Sequence, residues 1–309
     1  MATGRKLRTY QNLTLGWVYD SFGNRQSQTP SGTSGALVPA AISATYSANN
    51  QIQTTSIPGV GPQSYDAAGN LIFDGINAMA YDAENRVCAS ANSLTGTITQ
   101  YIYDAEGRRV AKVNASSMNG GSLSCAMSPA GPVEATYILG PSGEQMTELD
   151  QAGNWKHTNI FAGGTLLATY DTAGLHFPLT DALGTKRVQV SGTGNVELSC
   201  TSLPFGDGLS CSGPGQDATE HHFTGKERDA ESGLDYFGAR YYASTMGRFM
   251  SPDWAAKAEP VPYSKLDNPQ TLNLYAYVGN NPLSRVDPTG HADIAAECKG
   301  QSTCNKTLV

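Results

Sequence analysis

The chain has 309 residues, a formal net charge of −7 and a pI of about 5.2. With 20 Lys and Arg against 27 Asp and Glu, it lacks the clustered cations that phosphate binding requires. No run of ~20 apolar residues is present to span a bilayer. Charged residues make up only 15% of a chain rich in glycine (34) and tyrosine (15), which favours strands and turns over long helices.

The N-terminal segment has no apolar run of signal-peptide length, and its one basic cluster, Arg5, Lys6 and Arg8, reads as a solvated stretch. The chain opens inside a repeat-like unit, so further repeats are expected upstream on a longer parent. The unit is an aromatic or apolar residue, Asp, two variable residues, Gly, then Asn or Arg. It recurs at Tyr19–Asn24, Tyr65–Asn70, Tyr81–Arg86, Tyr103–Arg108, Leu149–Asn154 and Tyr170–Leu175, with looser copies at Thr180–Thr185 and Ser191–Asn195. The Asp can accept backbone N–H bonds two residues on and start a turn. The Gly, or Asn85 in the third copy, supplies the positive φ that completes a bulged hairpin. Each copy predicts strand, turn, strand. Thr29–Ala41, Ala115–Pro132 and Gly206–Gln216 are rich in Ser, Gly and Pro and read as loops.

The six cysteines form no CxxC pair, and the histidines do not cluster with them as zinc ligands would. Cys200/Cys211 and Cys298/Cys304 are spaced to bridge if the chain is exported, and free thiols are equally compatible. His221 and His222 are adjacent, so a strand would point them to opposite faces. No P-loop or nucleophile elbow is present. No cofactor and no metal is expected.

From Phe177 onward the sequence resembles the core of RHS and YD-repeat proteins. The segments that carry the resemblance are Phe177–Val190, Pro204–Asp207, His222–Trp254 (with GLDYFGARYY and GRFMSPD) and Leu272–Gly290 (LNLYAYVGNNPLSRVDPTG). The upstream hairpin units fit the same family. The resemblance implies an all-β fold in which tandem hairpins spiral into a partly closed shell, with an inward-curled C-terminal plug. The expected organisation is repeats over 1–176, core over 177–290 and a short variable tail over 291–309. Arg240 and Arg248 are expected to pair with Asp229, Asp235 or Asp253 inside the plug.

Shells of this kind often cut themselves just after the core, with aspartates as acid and base, at a pattern P-x-x-x-x-D-P-x-G-L, with cleavage after the Leu. Pro282–Gly290 matches, but His291 stands in place of Leu. Asp287 is the residue carried over by position, Arg285 can tune its pKa, and Asp293 is a second carboxylate by proximity. Two carboxylates sharing a proton can activate water and protonate a leaving amide. The plainer reading is that Asp287 only caps the DPTG turn. The 18 residues of 292–309 are too few for an enzyme domain.

Three functions are expected. The first is a structural shell that encloses or presents a C-terminal passenger, secreted or at a cell surface. Its partners are upstream repeats, the passenger or toxin, an immunity protein or a secretion component. The second is a single-turnover aspartyl self-cleavage, and the third is a carbohydrate- or protein-binding β module.

Overall fold

The computed structural model describes residues 4–10, 13–32, 39–57, 60–115, 123–125, 131–254, 265, 267–291 and 294–295. Asp293, Cys298 and Cys304 lie outside these residues.

The fold is all-β, as the hairpin units predict. Five antiparallel strands form a first sheet: β1 (Gly4–Tyr10), β2 (Leu13–Tyr19), β3 (Arg25–Gly32), β4 (Ile42–Tyr46) and β5 (Ile52–Thr55). A second sheet of fourteen strands runs in strict sequence order from β6 (Ser64–Tyr65) to β19 (Ser210–Ser212). Each strand pairs with the next, so this wall is a continuous meander. The segment after β19 adds a four-stranded sheet, β20 (Glu227–Arg228), β21 (Asp235–Tyr236), β22 (Tyr241–Ala243) and β23 (Arg248–Phe249), and a small pair, β24 (Arg285–Val286) with β25 (Ile294–Ala295).

The repeat unit works as its chemistry predicts. One Oδ of Asp20 accepts from the backbone N–H of Phe22 and Asn24, and Asp66, Asp82, Asp104, Asp150 and Asp181 each bond residues two and four places on. Asn85 takes the left-handed conformation (φ 60°) where the other copies use glycine, such as Gly107 (φ 78°).

Two expected loops are partly strand. Residues 29–32 belong to β3. Within 206–216, β19 pairs with β18 (Val196–Thr201), where Cys200 and Cys211 stand opposite each other and form a disulfide. A second disulfide joins Cys88 to Cys125.

The C-terminal segment fills the space between the two sheets. Strand geometry sends consecutive side chains to opposite faces, and Tyr241 and Tyr242 use this to join different cores. Tyr242 packs with Trp17, Phe205, Phe223, Phe237, Phe249 and Tyr277 beside the first sheet. Tyr241 packs with Leu71, Met79, Val87, Tyr101 and Met250 beside the second. Each such buried ring contributes about 1.5–3 kcal/mol. The segment also grips the hairpin tips. Asn273 and Asn280 donate to the carbonyls of Phe22 and Gly23, and the Tyr275 hydroxyl donates to the Gly69 carbonyl at 2.7 Å.

Within the wall, β13 (Gln145–Leu149), β14 (Trp155–Ala162), β15 (Thr165–Asp171) and β16 (Gly174–Thr180) invert the usual pattern. Glu148, His157, Asn159, Thr169 and His176 are buried, while Ile160, Leu167, Tyr170, Leu175, Phe177 and Leu179 are exposed. A polar inner face is stable here because its groups meet other polar groups: Thr169 donates to Asn159 at 2.7 Å, and His176 lies 2.7 Å from Glu197 and 3.0 Å from Asp171.

Candidate active site

Two buried arginines organise the charged interior. Arg109, on β11 (Arg109–Ala115), reaches across to β20 and the residues after it. Its guanidinium is 2.5 Å from Glu227 and 2.7 Å from Asp229, and it accompanies Lys112, which is 2.7 Å from Asp229 and 3.4 Å from Glu231. The rings of Tyr236, Tyr101 and Tyr137 surround the guanidinium at 4.2, 5.4 and 5.5 Å. Burial opposes charge on Glu227, but Arg109 and then Lys112 hold its carboxyl well below the ordinary range. This node joins the wall to the core segment.

The second node lies where the core segment ends. Arg240 follows the tight turn at Gly238 and packs its guanidinium over the Phe249 ring at 3.7 Å. Its Nη2 is 3.2 Å from Asp253 and 3.7 Å from Asp287, its Nη1 donates to the Leu274 carbonyl at 2.9 Å, and its Nε donates to the Gly290 carbonyl. Asp287 Oδ1 accepts from the backbone N–H of Thr289 at 3.0 Å and of Gly290 at 2.7 Å, which closes the DPTG turn. Gly290 holds φ 86°, and a Cβ there would meet the Arg240 backbone at 3.0 Å. Asp253 Oδ1 contacts His291 Nδ1 at 2.6 Å, and the His291 ring stands edge-on to Trp254. A cavity of about 150 Å³ opens beside Asp287, between Lys226, His221 and the Gly163–Gly164 turn.

Asp287, the residue singled out by position, is therefore 3% exposed and sits among charged partners. The guanidinium that reaches it is that of Arg240, while Arg285 is half-buried on β24. The carboxylate brought to the same node is Asp253. Asp293, the second carboxylate expected by proximity, lies outside the described residues, and the signal for Asp253 was its expected pairing with Arg240. That pairing forms. Among the described residues Arg248 forms no ion pair with an aspartate; it donates to the Asn50 carbonyl at 2.6 Å and lies over Tyr275 and Tyr46. The aspartates it was expected to meet are held elsewhere: Asp229 by Arg109 and Lys112, and Asp235 by Arg228 at 2.7 Å.

Chemically, the node places two carboxylates beside a guanidinium that donates to the Gly290 carbonyl. The arginine polarises that carbonyl, as an oxyanion-stabilising group would.

A family model described as Teneurin YD-shell matches residues 17–283. The chain is 28% identical over 283 residues to the tRNA3(Ser)-specific nuclease WapA of Bacillus spizizenii, covering 89% of this chain and 11% of that protein. It is 25% identical to the toxin subunit YenC1 of Yersinia entomophaga (92% of this chain, 29% of that protein) and 25% identical to Teneurin-3 of Danio rerio (92% and 10%). It thus spans between a tenth and a third of the length of these relatives. A crystal structure of TcdB2-TccC3-Cdc42 shares its fold, with a TM-score of 0.50 at 17% identity over 90% of this chain and 17% of that one.

Proposed function

The chain belongs to the Teneurin YD-shell family, and from that premise we propose that it is a shell segment that encloses or presents a C-terminal passenger of the toxin or adhesin kind. The observation that carries this reading is the docking of the core segment onto the wall through buried groups. Arg109 and Lys112 on β11 meet Glu227, Asp229 and Glu231, and aromatic clusters on both sides complete the seal. A strand array closed by its own C-terminal segment suits enclosure. In this reading residues 1–176 are repeats, 177–290 the core region, which ends the wall through β19 and then plugs it, and 291–309 the start of the passenger or its remnant. Partners are upstream repeats, the passenger, and an immunity or export component. The two disulfides fit a secreted or surface-exposed system. The test is protease protection of whatever follows residue 290 in the full-length parent protein. Protection in the folded parent, lost on unfolding, supports enclosure; equal digestion in both states refutes it.

A second reading, self-cleavage at the DPTG boundary, is favoured by one specific observation: Arg240, which donates to the Gly290 carbonyl, also reaches the carboxylates of Asp253 and Asp287. One carboxylate takes a proton from water as it attacks, the other protonates the leaving amide nitrogen, and Arg240 holds the two carboxylates together. Intact-mass analysis of the full-length parent tests it. A cut at the DPTG boundary, after position 291 where the pattern has Leu, is expected in the wild type and is absent from both Asp253→Asn and Asp287→Asn. An uncut wild-type chain, or a cut that persists in both variants, refutes it.

A further inference from the structure

A third polar cluster lies on the inner face of the wall, away from both arginines. Glu148 on β13 and His157 on β14 are direct cross-strand partners, so their side chains share a face. Glu220, from the core segment, meets them there. One ligand atom from each residue lies within 4.8 Å of the others. We propose that Glu148, His157 and Glu220 bind a divalent transition-metal cation of the Zn²⁺ type, which pins the core segment to the wall.

His157 is the observation that points to a ligand. It is only 4% exposed. Its closest ionic partner, Glu148 Oε2, is 3.8 Å from Nε2, beyond hydrogen-bond reach. No hydrogen bond to its ring is formed among the described residues. A buried imidazole aimed at two carboxylates without a bond to either is an incomplete arrangement. An imidazole offers a metal the lone pair of one ring nitrogen.

The two glutamates already recruit a cation. Lys156 Nζ is 2.7 Å from Glu148 Oε1 and 3.0 Å from Glu220 Oε1. That ammonium is a monovalent occupant on a flexible stem, and its side chain is 45% exposed, so it can swing to solvent.

One imidazole with two carboxylates suits a borderline cation better than Ca²⁺ or Mg²⁺, which prefer all-oxygen sets. Tetrahedral coordination at ~2.1 Å needs ligand atoms ~3.4 Å apart, so the cluster must contract by about 1 Å. Glu220 is partly exposed on its segment and can supply this movement, while the strand ladder fixes the other two. The neighbouring Cys200, Cys211 and His222 do not compete, because the two cysteines are bonded to each other.

The test is titration of the purified, untagged protein with ZnCl₂ in competition with a chromophoric chelator, without reductant. One equivalent is expected to bind. Lys156→Met should tighten binding about tenfold, and His157→Gln should weaken it at least as much. Glu220→Gln, a partly exposed position that leaves the fold intact, should also weaken binding and abolish the rise in melting temperature that Zn²⁺ gives the wild type. Absence of stoichiometric binding, or binding unchanged in Glu220→Gln and His157→Gln, overturns the proposal.

Discussion

The buried Arg109 and Arg240 are built alike and differ in what surrounds them. Around Arg109 every carboxylate touches a cation within 3.4 Å, and three tyrosine rings shield the group from solvent. Around Arg240 one guanidinium serves two aspartates, and part of its donor capacity goes to main-chain carbonyls at Leu274 and Gly290. The first arrangement spends all its charge on holding two elements together. The second aims its charge at a peptide bond near the surface. The contrast teaches that a buried ion pair is not by itself a sign of activity: the partners, and what they leave pointed at the backbone, decide.

The largest effect should come from breaking the first node. Arg109→Met leaves Glu227 and Asp229 buried with too few partners and should cost about 3–5 kcal/mol in urea unfolding. Arg240→Met should cost less, about 1–3 kcal/mol, because Asp287 keeps its two backbone donors and Asp253 keeps His291. Equal losses would erase the distinction.

Acid should affect the first node in a definite direction. The folded pKa of Glu227 is depressed, so its stabilising contribution is present above the ordinary carboxylate value of 4.5 and is lost as pH falls below it. Asp217 behaves the same way, on a lower window. Burial opposes its charge, but a hydrogen bond from His222 and the charge of Lys186 bring it down to about 2, so its contribution fades between about pH 4 and 2. The urea midpoint should therefore fall steadily below pH 4.5, and the Asp217→Asn profile should be flatter below pH 4. A midpoint constant to pH 3 would contradict this.

The smallest effect marks the wall away from both nodes. Gly153 has φ 77° with open space around it, so Gly153→Ala pays only for a left-handed alanine, about 1 kcal/mol in thermal unfolding. A larger loss would mean that the hairpin tips carry packing not visible in their contacts.

Much of the wall was legible because its grammar is local. An Asp that bonds residues two and four places on, followed by a left-handed residue, fixes a hairpin without reference to anything distant. Cys200 and Cys211 were legible for a related reason, since they flank a single turn. The nodes were not. Arg109 finds Asp229 across 120 residues, and nothing in the YDAEGRR sequence separates it from Arg108, which pairs locally with Asp104 on the surface. Asp287 was found by position, whereas Asp253 came into the site only through the fold, 34 residues upstream. The polar inner face of β13 to β16 was not legible, for a physical reason. Alternation tells which residues share a face, but the partner across the gap decides which face is buried, and here that partner is polar.

The most direct measurement is hydrogen exchange of the wild-type protein and Arg109→Met, followed peptide by peptide. If Arg109 locks the core segment to the wall, the amides of residues 227–242 should lose protection at least tenfold in the variant, while those of β14 to β18 keep theirs. Unchanged protection of residues 227–242 in Arg109→Met would contradict that claim.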